Sequence, residues 1–137
     1  MAYGLKKIPV TDLKQSTSLG VKIPFDAQTV FTPIYNTKDQ TKYNLINYLL
    51  TDKKERVFNP TFGAGLRSKL FDPIVSANLD DLKSTITSQI EDYFPIITVT
   101  NLSITGNTNK NSIIIDISYY IKTINQTDKA VINIQNL

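Results

Sequence analysis

The chain has 137 residues, 41% of them hydrophobic, and a net charge of +3, which fits one globular domain with a single core. It holds neither histidine nor cysteine, which excludes Ser-His-Asp and Cys-His catalysis, disulfides, and the common imidazole or thiolate metal sites. The positive excess lies in residues 1–56, and only Arg56 and Arg67 are arginines among 15 basic residues, a poor set for reading bases or clamping phosphates, so no nucleic-acid partner is expected.

Residues 1–20 are polar, punctuated by Gly4, Pro9 and Gly20, and follow neither the helical nor the strand period. They are expected to form an extended N-terminal arm, either laid across a neighbouring subunit or disordered in the isolated chain. The domain is expected over residues 21–137. Val21–Tyr35 is rich in β-branched and aromatic residues but is broken by Pro24 and Pro33, so it reads as an edge strand or extended segment. Thr37 is the expected cap of a helix over Lys38–Leu50, with Asp39 at its positive end and a stop near Thr51. Asp52-Lys53-Lys54-Glu55 follows as a charged turn.

Arg56–Pro73 sets Val57, Phe58, Phe62, Leu66, Leu70 and Phe71 among Pro60, Gly63 and Gly65. Nearby glycines permit positive φ, so this segment is expected to be an ordered loop that folds its aromatic side chains inward. Leu79, Leu82, Ile86, Ile90 and Phe94 then recur along one helical face, with Asn78 as the expected cap and Asp80 and Asp81 in the first turn. Pro95 ends that helix, because it pushes residue 94 away from helical angles.

After Pro95 the apolar period changes to two. Ile97, Val99, Leu102 and Ile104 form a strand whose phase slips at Asn101, the mark of a β-bulge, and Gly106–Asn111 is a polar turn. Ile113, Ile115, Ile117, Tyr119 and Ile121 alternate with Ile114, Asp116, Ser118, Tyr120 and Lys122, a half-buried strand. Asn125–Lys129 is expected to turn, and Ala130–Gln135 to be a short third strand. The fold class is α+β: a single domain with two main helices packed on one face of a mostly antiparallel sheet.

No constellation in this order carries chemistry. Paired-carboxylate hydrolysis needs two acids about 5 to 10 Å apart in a cleft, and the spacing of Glu55, Asp72, Glu91 and Asp92 singles out no pair. Gly63-Ala64-Gly65 lacks the continuation of a phosphate-binding loop and reads as a tight turn. Tyr119 and Tyr120, adjacent on a strand, face opposite ways and make no stacking platform. No run approaches the ~18 to 20 apolar residues of a membrane span. Catalytic, metal-binding and cofactor residues are therefore expected to be absent, as are membrane and small-molecule partners.

The segment Arg56-Val57-Phe58-Asn59-Pro60-Thr61-Phe62-Gly63-Ala64-Gly65-Leu66, followed by Leu70-Phe71, closely resembles the signature of the contractile-tail baseplate wedge family. That family includes the sheath initiators of myophages and the wedge subunit of type VI secretion. The motif residues Arg56, Phe58, Pro60, Phe62, Gly63, Leu66, Leu70 and Phe71 carry the likeness, which extends through Asn44–Thr51 and over roughly residues 37–135; Lys22-Ile23-Pro24-Phe25 and Phe31–Tyr35 look like phage members. One departure stands out: the family usually has Glu-Pro-Arg after its long helix, and this chain has Phe94-Pro95-Ile96. The proline is kept and both charges are lost.

The resemblance implies a non-enzymatic virion protein of the tail baseplate, assembled in the host cytoplasm. Its implied partners are core baseplate wedge proteins and the tail sheath protein, with tail tube or hub proteins nearby. Some members have been described as lysozyme-like, so the alternative is a muramidase-type cell-wall hydrolase. As a sheath initiator the chain would present a sheet edge to an incoming strand. With Val21–Tyr35 expected to cover the first outer strand, the last one, including Val131, Ile132, Asn133 and Ile134, is the expected receiving edge. Phe94, Pro95 and Ile96 are the second expected partner contact, an apolar one in place of the lost charges, with simple core packing as the alternative.

Overall fold

The computed structural model describes residues 8–13, 16–22, 31–69, 76–107, 109–110 and 112–135. Leu70, Phe71 and Asp72, and the Ile23–Phe25 part of the upstream likeness, lie outside them. Helices α1 (Thr37–Leu50), α2 (Leu66–Lys69) and α3 (Ser76–Tyr93) accompany two antiparallel sheets. One is a two-residue ladder of β1 (Gly20–Val21) and β2 (Pro33–Ile34); the other, in the order β3-β4-β5, joins β3 (Ile97–Asn107), β4 (Ser112–Ile121) and β5 (Gln126–Gln135). This is the expected α+β fold.

Helix α1 starts one residue earlier than expected, and its cap is Asn36, not Thr37. The Asn36 side chain accepts from the Asp39 backbone N–H at 2.7 Å and donates to the Asp39 carboxylate at 2.8 Å, a reciprocal closure of the first turn. Thr37 is occupied differently: its N–H and hydroxyl both donate to the Asp12 carboxylate, at 2.8 and 2.7 Å. Val10–Leu13 form a single 3-10 turn, so this part of the N-terminal segment is tied to the positive end of α1, where a carboxylate is favourable.

Helix α3 begins at Ser76, so Asn78 lies inside its first turn instead of capping it. Leu82, Ile86 and Ile90 are buried along one stripe, with Leu79 and Phe94 partly buried beside them. That stripe packs on β3, while α1 sets Leu45, Ile46, Tyr48 and Leu49 against the side of the sheet nearer β5.

Strand β4 supplies the middle of the core, with Ile113, Ile115, Ile117, Tyr119 and Ile121 all buried. They pair in register with Ile134, Ile132, Ala130, Asp128 and Gln126 of β5. The expected bulge is present: the β3–β4 register shifts between Val99 and Asn101, and the extra residue, Thr100, donates its hydroxyl to the Ser118 carbonyl at 2.9 Å. The opposite face of the sheet leaves Ile114 and Val131 exposed.

Two expectations need correction here. The last turn is Lys122–Asn125, not Asn125–Lys129, because Asn125 takes a positive φ of 52° and closes the hairpin early. Strand β5 therefore runs ten residues, not six. Most of the Val21–Tyr35 segment, residues 23–30, lies outside the described residues; among the described residues, β1 and β2 pair only with each other, and neither outer strand of the main sheet has a further strand on its outer edge.

Candidate assembly interfaces

Two features converge on the surface. The first is the outer edge of β5, whose amide directions follow from one hydrogen bond. Lys122 donates its backbone N–H to the Ile96 carbonyl at 2.9 Å, just outside the Ile97–Ile121 pair, so that pair is of the non-hydrogen-bonded kind and Ile121 turns its own N–H and C=O toward β5. Alternation sends the backbone groups of Ile113, Ile115, Ile117 and Tyr119 the same way, where they meet Ile134, Ile132, Ala130 and Asp128. Thr127, Lys129, Val131, Asn133 and Gln135 are left with their backbone groups facing the free edge.

Of the residues expected at this edge, Val131 and Asn133 are exposed, whereas Ile132 and Ile134 are buried in the core. The latter two anchor the strand, and the former two present it. β3 also has a free edge, but its bulge breaks the run of regularly spaced groups, and bulges are a known guard against strand pairing.

The second feature is the loop after α1. Thr51 caps that helix, donating both its N–H and its hydroxyl to the Asn47 carbonyl. The chain then doubles back, so that Ala64 N–H reaches the Tyr48 carbonyl at 3.1 Å and Gly65 N–H the Thr51 carbonyl at 3.4 Å. Gly63 sits at φ 111°, and a Cβ there would run into the Thr51 carbonyl, which is why this position takes glycine.

The return folds Phe62 inward. Its ring meets Tyr48 edge-on at 5.3 Å and Tyr93 at 5.3 Å, and Tyr48 stacks on Tyr93 at 4.7 Å and meets Phe94 at 5.6 Å. Arg56 lies over Phe62, 3.8 Å from the ring centroid, a cation–π contact. Burial, then the neighbouring Tyr93 and Asp92, hold the Tyr48 hydroxyl above the usual tyrosine range. The sequence reading placed Tyr48 among the apolar residues of the first helix but missed Tyr93; the signal was there in the adjacency of Tyr93 to Phe94.

Phe58 corrects the expectation of an inward-facing aromatic. It is fully exposed, with Val57 beside it 88% exposed, because Lys54 N–H donates to the Pro60 carbonyl at 2.8 Å and pinches the loop below them. Leu66 is buried at the start of α2. At the α3–β3 corner, Phe94 is half-buried in the aromatic cluster and Pro95 and Ile96 are exposed. Lys122 holds that corner, its ammonium donating to the Pro95 carbonyl at 3.1 Å.

Among the described residues the candidate carboxylates do not gather, and Asp72 lies outside them. Glu55 accepts from the Asp52 backbone N–H at 2.8 Å, while Glu91 and Asp92 are exposed at the end of α3. Among the described residues, no acidic group could hold a metal ion and no helix is long and apolar enough to cross a membrane.

A family model described as baseplate wedge protein gp25 matches residues 36–126. Among solved structures, the fold resembles a protein of Geobacter sulfurreducens described as a candidate tail lysozyme, with a TM-score of 0.66 and 19% identity over 74% of this chain and 93% of that one. It also resembles a chain of the anti-feeding prophage baseplate, with a TM-score of 0.52 and 14% identity over 82% of this chain and 80% of that one. At such identities these likenesses show the fold alone. No curated protein matches the chain in sequence.

Proposed function

From the premise that the chain belongs to the baseplate wedge protein gp25 family, we propose that it is a structural subunit of a contractile-tail baseplate that starts the sheath by accepting a strand along β5. It binds core wedge proteins through the Phe94–Ile96 corner and resides in the tail baseplate of the virion, assembled in the host cytoplasm. Tail tube or hub proteins lie close to it.

The observation that carries the strand-addition reading is the free edge of β5. Its ten-residue register is unbroken, and it offers the outward N–H and C=O groups of Thr127, Lys129, Val131, Asn133 and Gln135 to a pairing strand. Main-chain hydrogen bonds supply affinity in such contacts without side-chain chemistry. The muramidase alternative, which the description of the Geobacter protein raises, needs two carboxylates facing one another across a cleft. Glu55 is engaged with its own turn, and Glu91 and Asp92 are exposed neighbours on one helix end.

Val131→Pro tests the reading. Proline there removes an outward N–H and leaves the β4 ladder whole, so the variant is expected to fold and enter baseplates while sheath assembly on them fails. Normal sheaths on baseplates carrying Val131→Pro would sink strand addition at β5.

A further inference from the structure

The tip of the loop, Val57–Phe58, is used neither by the core nor by the strand edge. Single exposed apolar side chains are ordinary on protein surfaces. Here two adjacent ones, Val57 and Phe58, stand at 88% and 101% exposure on a loop that is held in shape. The Lys54–Pro60 hydrogen bond closes its neck, Glu55 N–H donates to the Asp52 carbonyl at 3.2 Å, and Phe62 N–H donates to the Asn59 carbonyl at 3.1 Å. Lys54 accepts a positive φ of 70° to make this turn. An aromatic side chain presented by an ordered loop enters a contact with little backbone entropy left to lose.

Arg56 supplies the second half of the argument. One face of its guanidinium is taken by the Phe62 ring at 3.8 Å, while its N–H edges form no ion pair among the described residues. Held flat in this way, the group is set to meet a carboxylate in the bidentate geometry that arginine favours. Beneath it, Phe62 meets Tyr93 at 5.3 Å, so the guanidinium rests on the aromatic cluster.

We infer that this tip is a preorganised protein-docking anchor: Val57 and Phe58 enter an apolar pocket on a different baseplate chain, and Arg56 pairs with an aspartate or glutamate at the pocket's rim. The inference rests on the baseplate reading. Buried aromatic and arginine side chains of this kind dominate protein interfaces.

The test is site-specific photo-cross-linking in assembled particles. Benzoylphenylalanine is placed at position 58 of the full chain, tails are assembled from its own gene cluster and irradiated, and cross-linked peptides are identified by mass spectrometry. The expected product is a peptide of another baseplate chain that contains an aspartate or glutamate. Phe58→Ser is expected to keep the wild-type melting temperature yet lower incorporation at least about tenfold; Arg56→Glu, which also gives up the contact with Phe62, should lower incorporation likewise while remaining folded, and reversing the charge of the partner carboxylate should restore it. Cross-links only to a second copy or to lipid, no cross-link from a chain present in the particle, or normal incorporation of Phe58→Ser would each overturn the docking anchor alone. Absence of the chain from the particle would remove the baseplate reading as well.

Discussion

Phe58 and Phe62 stand on one loop and share a side chain, but their energetic roles are opposite. Phe62 closes the aromatic cluster under Arg56, so Phe62→Ala removes contacts with Tyr48 and Tyr93 and strands the guanidinium; such truncations cost ~3 to 5 kcal/mol. Chemical denaturation should show that loss, and a stability unchanged by Phe62→Ala would mean the cluster is not core. Tyr119, like Tyr48, makes stability depend on alkaline pH, and its shift is the larger. It is wholly buried, and its hydroxyl donates to the Asp128 carboxylate at 3.3 Å. Burial first, and that carboxylate second, raise its pKa far above the ordinary 10.0. Above about pH 10 the unfolded chain sheds this proton and the folded chain keeps it, so stability falls as pH rises through that value, by ~1.4 kcal/mol per pH unit for one group. Tyr119→Phe should flatten the fall by about one such slope in melting curves between about pH 9 and 11; an unchanged slope would place the alkaline loss elsewhere.

Among the elements, those with strong periodicity were legible from sequence. The stripe from Leu79 to Phe94, the alternation through β4 and the bulge beside Asn101 each follow from side chains close together in the chain, and the structure carries them out. Where the reading failed, a distant contact or a single dihedral decided. Asn36 is the cap because its side-chain oxygen reaches the Asp39 N–H, while Thr37 is already the first helical residue and gives its N–H and hydroxyl to Asp12, 25 residues upstream. Phe58 is exposed because of a pinch between Lys54 and Pro60, invisible to composition. β5 looked short because Thr127, Asp128 and Lys129 resemble a turn, yet each sits in register with β4, and Lys129 reaches across to Asp116 at 2.6 Å. The direction of its amides predicts an asymmetry between neighbours. Ala130→Pro removes an inward N–H and orphans the Ile117 carbonyl in the core, at ~1 to 3 kcal/mol before any steric cost, whereas Val131→Pro removes only an outward one. Thermal unfolding of the two variants checks this, and equal losses would mean the register is misassigned.

At the scale of the whole molecule, the helices and sheet leave a graded protection of the backbone. α3 and α1 cover one face of the sheet over its β3 and β5 sides, and β4 is paired along both edges, so its amides can exchange with solvent only when the domain opens as a unit. The outer strands are bonded along one edge each, so protection there alternates residue by residue. Along β5, Asp128, Ala130, Ile132 and Ile134 face β4 and should exchange slowly, while Thr127, Lys129, Val131 and Asn133 face outward and should exchange at rates close to those of open chain. Hydrogen exchange read by NMR on the isolated chain resolves this alternation. In the assembled tail the outward set should become protected while the inward set stays as it was, because a strand added to β5 contributes bonds only to that edge. An isolated chain with the alternation reversed would move the free edge to the other set of amides. Assembled tails in which the outward set still exchanges freely would leave β5 a solvent-facing edge and shift sheath initiation to another surface.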